Sequence, residues 1–168
     1  MTNNDVLRRI RYTFDYNDSK MIGIFAAADA EVTREQISSW LKREEDPDYK
    51  NCSDVQVATF LNGLINENRG KRDGEQPKPE KKINNNIIFR KLKIALDLRD
   101  EDILEILLLA DLQISRHELS AFFRRADHKH FRSCKDQILR NFLHGAQIMY
   151  RPEESDDESA EEGFKWDK

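Results

Sequence analysis

Two stretches of the chain carry cations at helical spacing: "VTREQISSWLKR" at residues 32–43 and "ISRHELSAFFRR" at residues 114–125. In the second, Arg116, His117, Ser120 and Arg124 fall on one face, Arg125 follows them, and Leu119 and Phe122 point the other way. Guanidinium and imidazole groups so placed can hold phosphate and donate to base edges. The equivalent residues of the first stretch are Arg34, Glu35, Ser38 and Lys42, a less basic set. A second basic row, Arg90, Lys91 and Lys93, offers phosphate contacts and repeats Arg8, Arg9 and Arg11. The plainer reading of both rows is a solvated helix face with structural ion pairs. Asp29 and Asp111 sit where a helix ends, and a carboxylate there is unfavourable by about 0.3–1 kcal/mol. Each therefore calls for a cation, and the sequence nominates the pairs Arg8–Asp29 and Arg90–Asp111.

Other chemistry is thin. His117, His128, His130 and His144 all lie in the second half, and "HKHFRSC" adds Cys134, but the spacing matches no recognised metal site. Cys52 and Cys134 stand near helix starts, where a thiol can be activated, yet they read more simply as small buried residues. No Gly-rich phosphate loop, GxSxG or HExxH occurs. Neither a metal nor a cofactor is expected, and the chain reads as non-catalytic.

The elements that must position these groups come in duplicate. Sliding the chain by 82 residues aligns 3–65 with 85–147 without a gap. Asn3 and Asn4 meet Asn85 and Asn86, Ala28-Asp29 meets Ala110-Asp111, and Cys52 meets Cys134. Each copy predicts four helices. The first spans about 4–16 on the apolar positions Leu7, Ile10 and Phe14, matched by Phe89, Leu92 and Leu96. Asp18 and Asp100 are read as caps of an apolar second helix. Thr33 and Ser115, with Gln36 and Glu118 three residues on, open the third as capping boxes. The fourth begins near Asn51 or Ser133 and contains Gly63 or Gly145. Glycine costs a helix about 1 kcal/mol, so its repetition implies close backbone approach.

The reading is an all-α protein of two tandem homologous four-helix units with helix-turn-helix-like corners. Residues 1–67 form the first repeat, 68–84 a charged Pro/Gly linker, 85–150 the second repeat, and 151–168 an acidic tail expected to be disordered. In the corner, Ala27 or Leu109 is the required small or apolar residue, and Ile37/Trp40 or Leu119/Phe122 are the anchors. The turn position that such corners give to glycine holds Glu31 or Gln113, which counts against the match.

Charge follows the same division. Residues 1–67 carry 8 basic and 12 acidic groups, 68–82 carry 6 and 3, 83–152 carry 12 and 9, and 153–168 carry 2 and 8. A basic body thus precedes a tail with the charge sign of a nucleic acid, which could compete for the same surface. The N-terminal segment lacks the apolar run of a secretory leader, and no stretch has the length and apolarity of a membrane span. Two cysteines without CxxC spacing suit a reducing compartment, so a cytoplasmic protein with no membrane partner is expected.

The pattern NND-x-LRRIRY-x-FD, the AD-x-x-[VI]-[ST] turn and the 82-residue duplication together resemble the bacterial YehS-like family of unknown function, over roughly residues 1 to 150. The resemblance implies a small cytosolic protein of two helical copies and brings no activity or catalytic residue with it. Two binding readings stand: a nucleic-acid-associated regulator working through copy two and the linker, and a protein–protein adaptor using the groove between copies or an exposed helical face. The sequence leaves the oligomeric state open.

Overall fold

The structure, a computed structural model, describes residues 1–151, so the acidic tail expected over 151–168 lies, past Arg151, outside the described residues. Its helices are α1 (Asn3–Thr13), α2 (Asp18–Ala27), α3 (Arg34–Leu41), α4 (Asp54–Arg69), α5 (Asn85–Ala95), α6 (Asp100–Leu109), α7 (Arg116–Phe122) and α8 (Asp136–Tyr150). No strand occurs among the described residues. Every helix of the second copy starts 82 positions after its counterpart, so the fold is all-α and written twice.

Local chemistry sets the boundaries. Thr2, Thr33, Ser53 and Ser115 each accept from the backbone three residues on, and the side chain there returns the bond. These boxes satisfy amide donors that a helix start leaves orphaned. Asp18 and Asp100 are not caps. Asn17 accepts from Lys20 N–H at 2.8 Å, and Asp102 accepts from Arg99 N–H at 2.8 Å, so the two aspartates become first helical residues. α4 and α8 also start later than predicted, because the segment before each is pinned in a non-helical course.

The pin is a buried amide. Asn4 Nδ2 donates to the carbonyls of Trp40 (2.9 Å) and Lys50 (2.8 Å), while its Oδ1 accepts from Cys52 N–H (2.9 Å). Asn86 repeats all three bonds with Phe122, Arg132 and Cys134 at 3.0, 2.8 and 2.9 Å. One side chain thereby ties the first helix of each copy to the end of the third and to the approach of the fourth.

Helix ends use aspartate where glycine is customary. Asp15, Asp29, Asp97 and Asp111 have φ of 54°, 60°, 53° and 61°. Around Asp29 the amide of Ala30 reaches Phe25 O at 3.0 Å and that of Asp29 reaches Ala26 O at 2.9 Å; the other three aspartates show the same pair of bonds. This is the Schellman closure, and a short polar side chain tolerates its left-handed residue better than most. The residue with positive φ in the α2–α3 connection is therefore Asp29, and in α6–α7 Asp111, which removes the objection raised by Glu31 and Gln113.

Within each copy the second helix packs on the fourth, and here the repeated glycines matter. A β-carbon at Gly63 would lie 1.9 Å from Ile24 O, and one at Gly145 the same distance from Ile106 O. The close neighbour is the second helix of the same copy. Aromatic packing is duplicated with an exchange. Phe25 on α2 lies 5.6 Å from Trp40 and 5.3 Å from Phe60, whereas in copy two Phe89 on α5 lies 6.4 Å from Phe122 and 4.7 Å from Phe142. Phe25 corresponds to Leu107 and Phe89 to Leu7, so the central ring enters from a different helix while the total side-chain volume is kept.

The copies share one continuous core. α4 packs on α5, and α1 on α8. Asp54 accepts from Asn3 Nδ2 (2.8 Å) of its own copy and from Ile83 N–H (3.0 Å) at the start of the other; Asp136 accepts from Asn85 Nδ2 (2.7 Å) and the Met1 ammonium (2.9 Å). These donors hold both carboxyls below the usual carboxylate range. Arg69–Asp97 (2.8 Å) and Arg151–Asp15 (3.6 Å) repeat the reciprocity. The interface is isologous, like that of a two-fold dimer, within a single chain.

Two expectations follow. Asn4→Ala leaves buried backbone groups unpaired and should cost about 3 kcal/mol, read as a lower urea midpoint at unchanged slope; a loss below about 1 kcal/mol would count against the pin. Phe25→Leu and Leu7→Phe should each destabilise by about 1–2 kcal/mol, and the double exchange should recover at least about 1 kcal/mol of their sum, because copy two already uses that arrangement.

Candidate functional site

The α7 corner presents part of the basic set named by the sequence. Arg116 and His117 are exposed, Ser120 and Arg124 half-buried, and Arg125 exposed. The inward anchors Leu119 and Phe122 are buried, as are Ile37 and Trp40. Two of the cations are already engaged: Arg116 with Glu101 at 3.0 Å and Arg125 with Asp127 at 3.4 Å. A backbone hydrogen bond and then Arg116 keep the Glu101 carboxyl low, so that pair stays ionised. The α6–α7 connection, positions 110–115, is also longer than the three- or four-residue turn of a DNA-binding corner.

The row on α5 does not act as one stripe, because residues two apart on a helix face opposite ways. Lys91 turns toward α4 and the linker, donating to Asn62 Oδ1 at 2.5 Å and pairing with Glu80 at 3.0 Å. Lys93 pairs with Asp100 at 2.9 Å and lies 4.5 Å over the Phe123 ring. Arg90 is exposed and makes no ion pair among the described residues.

The nominated Arg8–Asp29 and Arg90–Asp111 pairs do not form. Arg8 bonds Asp5 and Lys42 O, and Asp29 takes Lys71 at 2.7 Å. Arg90 and Asp111 are not brought together among the described residues. Asp29 and Asp111 recur because of their left-handed backbone, not because of a partner on the first helix. Burial pushes the Asp5 carboxyl up, but the Thr2 amide and the Arg8 guanidinium outweigh it and hold it below its ordinary value. Position 5 corresponds to Ile87 in copy two. The same substitution that deprives Arg90 of a local carboxylate therefore leaves its charge available.

Arg90 opens onto a cleft of about 480 Å³ between the copies, bounded by α4, α5 and the linker. Arg69, Arg72 and Lys91 share it, with Ile65, Ile87 and Ile94 supplying apolar wall. Gln76, Pro77, Pro79 and Glu80 of the linker close one side. The charged Pro/Gly linker is not wholly solvated: Gln76, Pro79 and Glu80 are half-buried. On its other side Arg90 borders a second depression with Arg125, Phe123 and Phe131. Arg69 and Arg72 were not among the residues nominated from the sequence; the run "RGKR" at 69–72 was their only signal, and nothing in it shows where the linker lies.

Among the described residues no three His, Cys, Asp or Glu side chains converge to hold a metal. His128 serves its own loop, its Nδ1 accepting from His130 N–H at 3.0 Å, as Asp46 accepts from Asp48 N–H at 2.8 Å in copy one. Cys52 and Cys134 are free and buried, and burial pushes both thiols up to about 12.

Fold and site together define a duplicated helical protein with a basic inter-repeat cleft. The chain belongs to the family described as "Protein of unknown function (DUF1456)", whose model matches residues 3–70 and 85–151. It is 44% identical over 146 residues to the "Uncharacterized protein YehS" of Escherichia coli strain K12, a match covering 86% of this chain and 94% of that protein. No solved structure matches. No helix among the described residues is long and apolar enough to cross a membrane.

The raised thiol pKa values have a direct consequence. At pH 8 the native protein should be alkylated by iodoacetamide at least about a hundredfold more slowly than in denaturant, followed by mass spectrometry; fast native modification at either cysteine would contradict the burial.

Proposed function

We propose that the protein is a non-catalytic, cytoplasmic nucleic-acid-binding protein that takes a single-stranded segment along a track from the inter-repeat cleft, over Arg90, to the Phe123–Phe131 depression. The observation that carries the reading is Arg90: exposed, without an ion pair among the described residues, and bordering both concavities. Arg72, which also lines the cleft, adds a second guanidinium without an ion pair among the described residues. Phosphates would lie on these cations and bases against the isoleucine wall and the two phenylalanines, the usual division of labour in single-strand recognition. The α7 residues Arg116, His117, Ser120 and Arg124 lend flanking hydrogen-bond donors. They are favoured less as a groove-reading helix, given the long connection and the Glu101 pair. An adaptor role is the second reading, favoured by Leu108 and Leu109 on α6, which are 57% and 43% exposed.

Salt separates the two readings, since phosphate contacts release counterions and apolar docking does not. A labelled single-stranded 20-mer should raise its fluorescence anisotropy with the intact protein at low salt. The double variant Arg72→Ala/Arg90→Ala should weaken binding about tenfold and lower the salt slope by about 1–2. Arg116→Ala/Arg124→Ala should change affinity less than about threefold. No binding at low salt overturns the proposal; loss confined to the α7 variant moves the site to the helical corner.

A further inference from the structure

The linker gives the inter-repeat cleft a mouth and a blind end. α4 and α5 run parallel, since the contacts Asp54–Ile83, Asn62–Lys91 and Arg69–Asp97 rise together along both. The linker leaves α4 at Gly70, whose φ is 91°, and returns along the groove between the two helices to Ile83. It is tied down on the way. Gln76 Nε2 donates to Arg72 O at 2.7 Å and to Gly74 O at 3.2 Å, and Glu80 meets Lys91 at 3.0 Å. A strand that enters beside Arg90 therefore runs into the linker. Ile87 and Arg90 line both this cleft and the Phe123–Phe131 depression, so the way in and the way out lie there. At the far end stand Ala28, Arg69, Gly70, Arg72 and Ile94. Ile94 follows Arg90 by one helical turn and Ile87 by two, about 6–10 Å along α5.

We infer that the cleft holds the end of the strand, with a terminal phosphate on Arg72 and the next phosphodiester on Arg90. This rests on single-strand binding as proposed for the same cleft. The cations are divided accordingly. Arg69 is held by Asp97 at 2.8 Å and Lys91 by Glu80, so both charges are met within the protein. Arg72 at the far end and Arg90 at the mouth line the cleft without an ion pair among the described residues. A phosphomonoester carries a charge of about −1.5 to −2 and three acceptor oxygens, more than a phosphodiester offers. A guanidinium grips such a group through two parallel hydrogen bonds. Gln76 fixes the turn that carries Arg72, so this contact is positioned in advance. The cleft volume of about 480 Å³ is that of a pocket enclosing one ligand, which suits a terminal nucleotide with its base against Ile65, Ile87 and Ile94. A free nucleoside monophosphate presents the same phosphate, and competition separates it from a strand end.

The test is fluorescence anisotropy of the intact protein with one strand, labelled on an internal base. It is prepared with a 5′-phosphate, with a 3′-phosphate, with hydroxyls at both ends, and as a closed circle. One phosphorylated form should bind about tenfold more tightly than the hydroxyl-ended strand, the worth of one further hydrogen bond to a charged group. The arm that gains names the end, and the circle should bind no better than the hydroxyl-ended strand. Arg72 is exposed on the linker, so Arg72→Ala leaves the core intact. It should bring the phosphorylated form down to the hydroxyl-ended level, whereas Arg125→Ala should weaken all linear forms by the same factor. Equal affinity of the four forms overturns the inference and leaves single-strand binding standing, as does a phosphate gain that survives Arg72→Ala. Displacement of the strand by an equal concentration of nucleoside monophosphate also overturns it and assigns the cleft to the free nucleotide. No binding of any form overturns both readings.

Discussion

Everything in this molecule hangs from one buried amide used twice. Asn4 and Asn86 each satisfy two carbonyls and one amide that belong to two different parts of the backbone. Those groups cannot be paired by helices, because they lie at the end of the third helix and in the non-helical approach to the fourth. Unpaired burial of such groups is costly, so the asparagine turns an irregular segment into fixed structure. Its neighbour, Asn3 or Asn85, points at the Asp54 or Asp136 carboxylate that accepts from the opposite copy. The dipeptide thus couples the closure of one repeat to its docking on the other. The same two asparagines therefore take part in contacts within a repeat and, through Asp54 or Asp136, in contacts between the repeats.

That coupling explains what a sequence reading reaches and what it misses. The 82-residue register, the capping boxes and the all-α class all follow from local or repeated patterns, and the structure has them. Asn4 is invisible to such reasoning, because it is polar, lies in the first turn of a helix, and interrupts no apolar periodicity. Asp29 and Asp111 were misassigned for a related reason: their charge suggested a partner, whereas their use is conformational. The exchange of Leu7/Phe25 for Phe89/Leu107 is likewise legible only in three dimensions, where one ring position is reached from two helices.

The proposed site is partly legible in the sequence. Arg90 and Lys91 do border the inter-repeat cleft, but Lys93 turns away to Asp100 and Phe123, because 200° of helical rotation separates positions two apart. The helical corner supplied good anchors and a capped helix, yet those features serve packing in both copies equally. What differs between the copies is a better guide to function. Arg69 and Arg72 could not be placed, since a Gly/Pro-rich segment has no periodicity from which its course follows.

A duplicated fold has two instances of every position, and only one must keep a given structural duty. Arg8 is bound by Asp5 and by Lys42 O, so in copy one the cation is spent on holding the helix end. Copy two keeps the guanidinium as Arg90 and replaces the carboxylate by Ile87. The half-buried pair is lost there, and an ion pair three residues apart on a helix contributes only about 0.2–0.5 kcal/mol. In exchange the same substitution frees a charge and adds apolar wall to the cleft it faces. Asymmetry of this kind, set against a backbone that stays symmetric, is what the proposed binding role rests on. It places the difference between the two halves at α5 and the linker, not at the third helices that the cation pattern first brings forward.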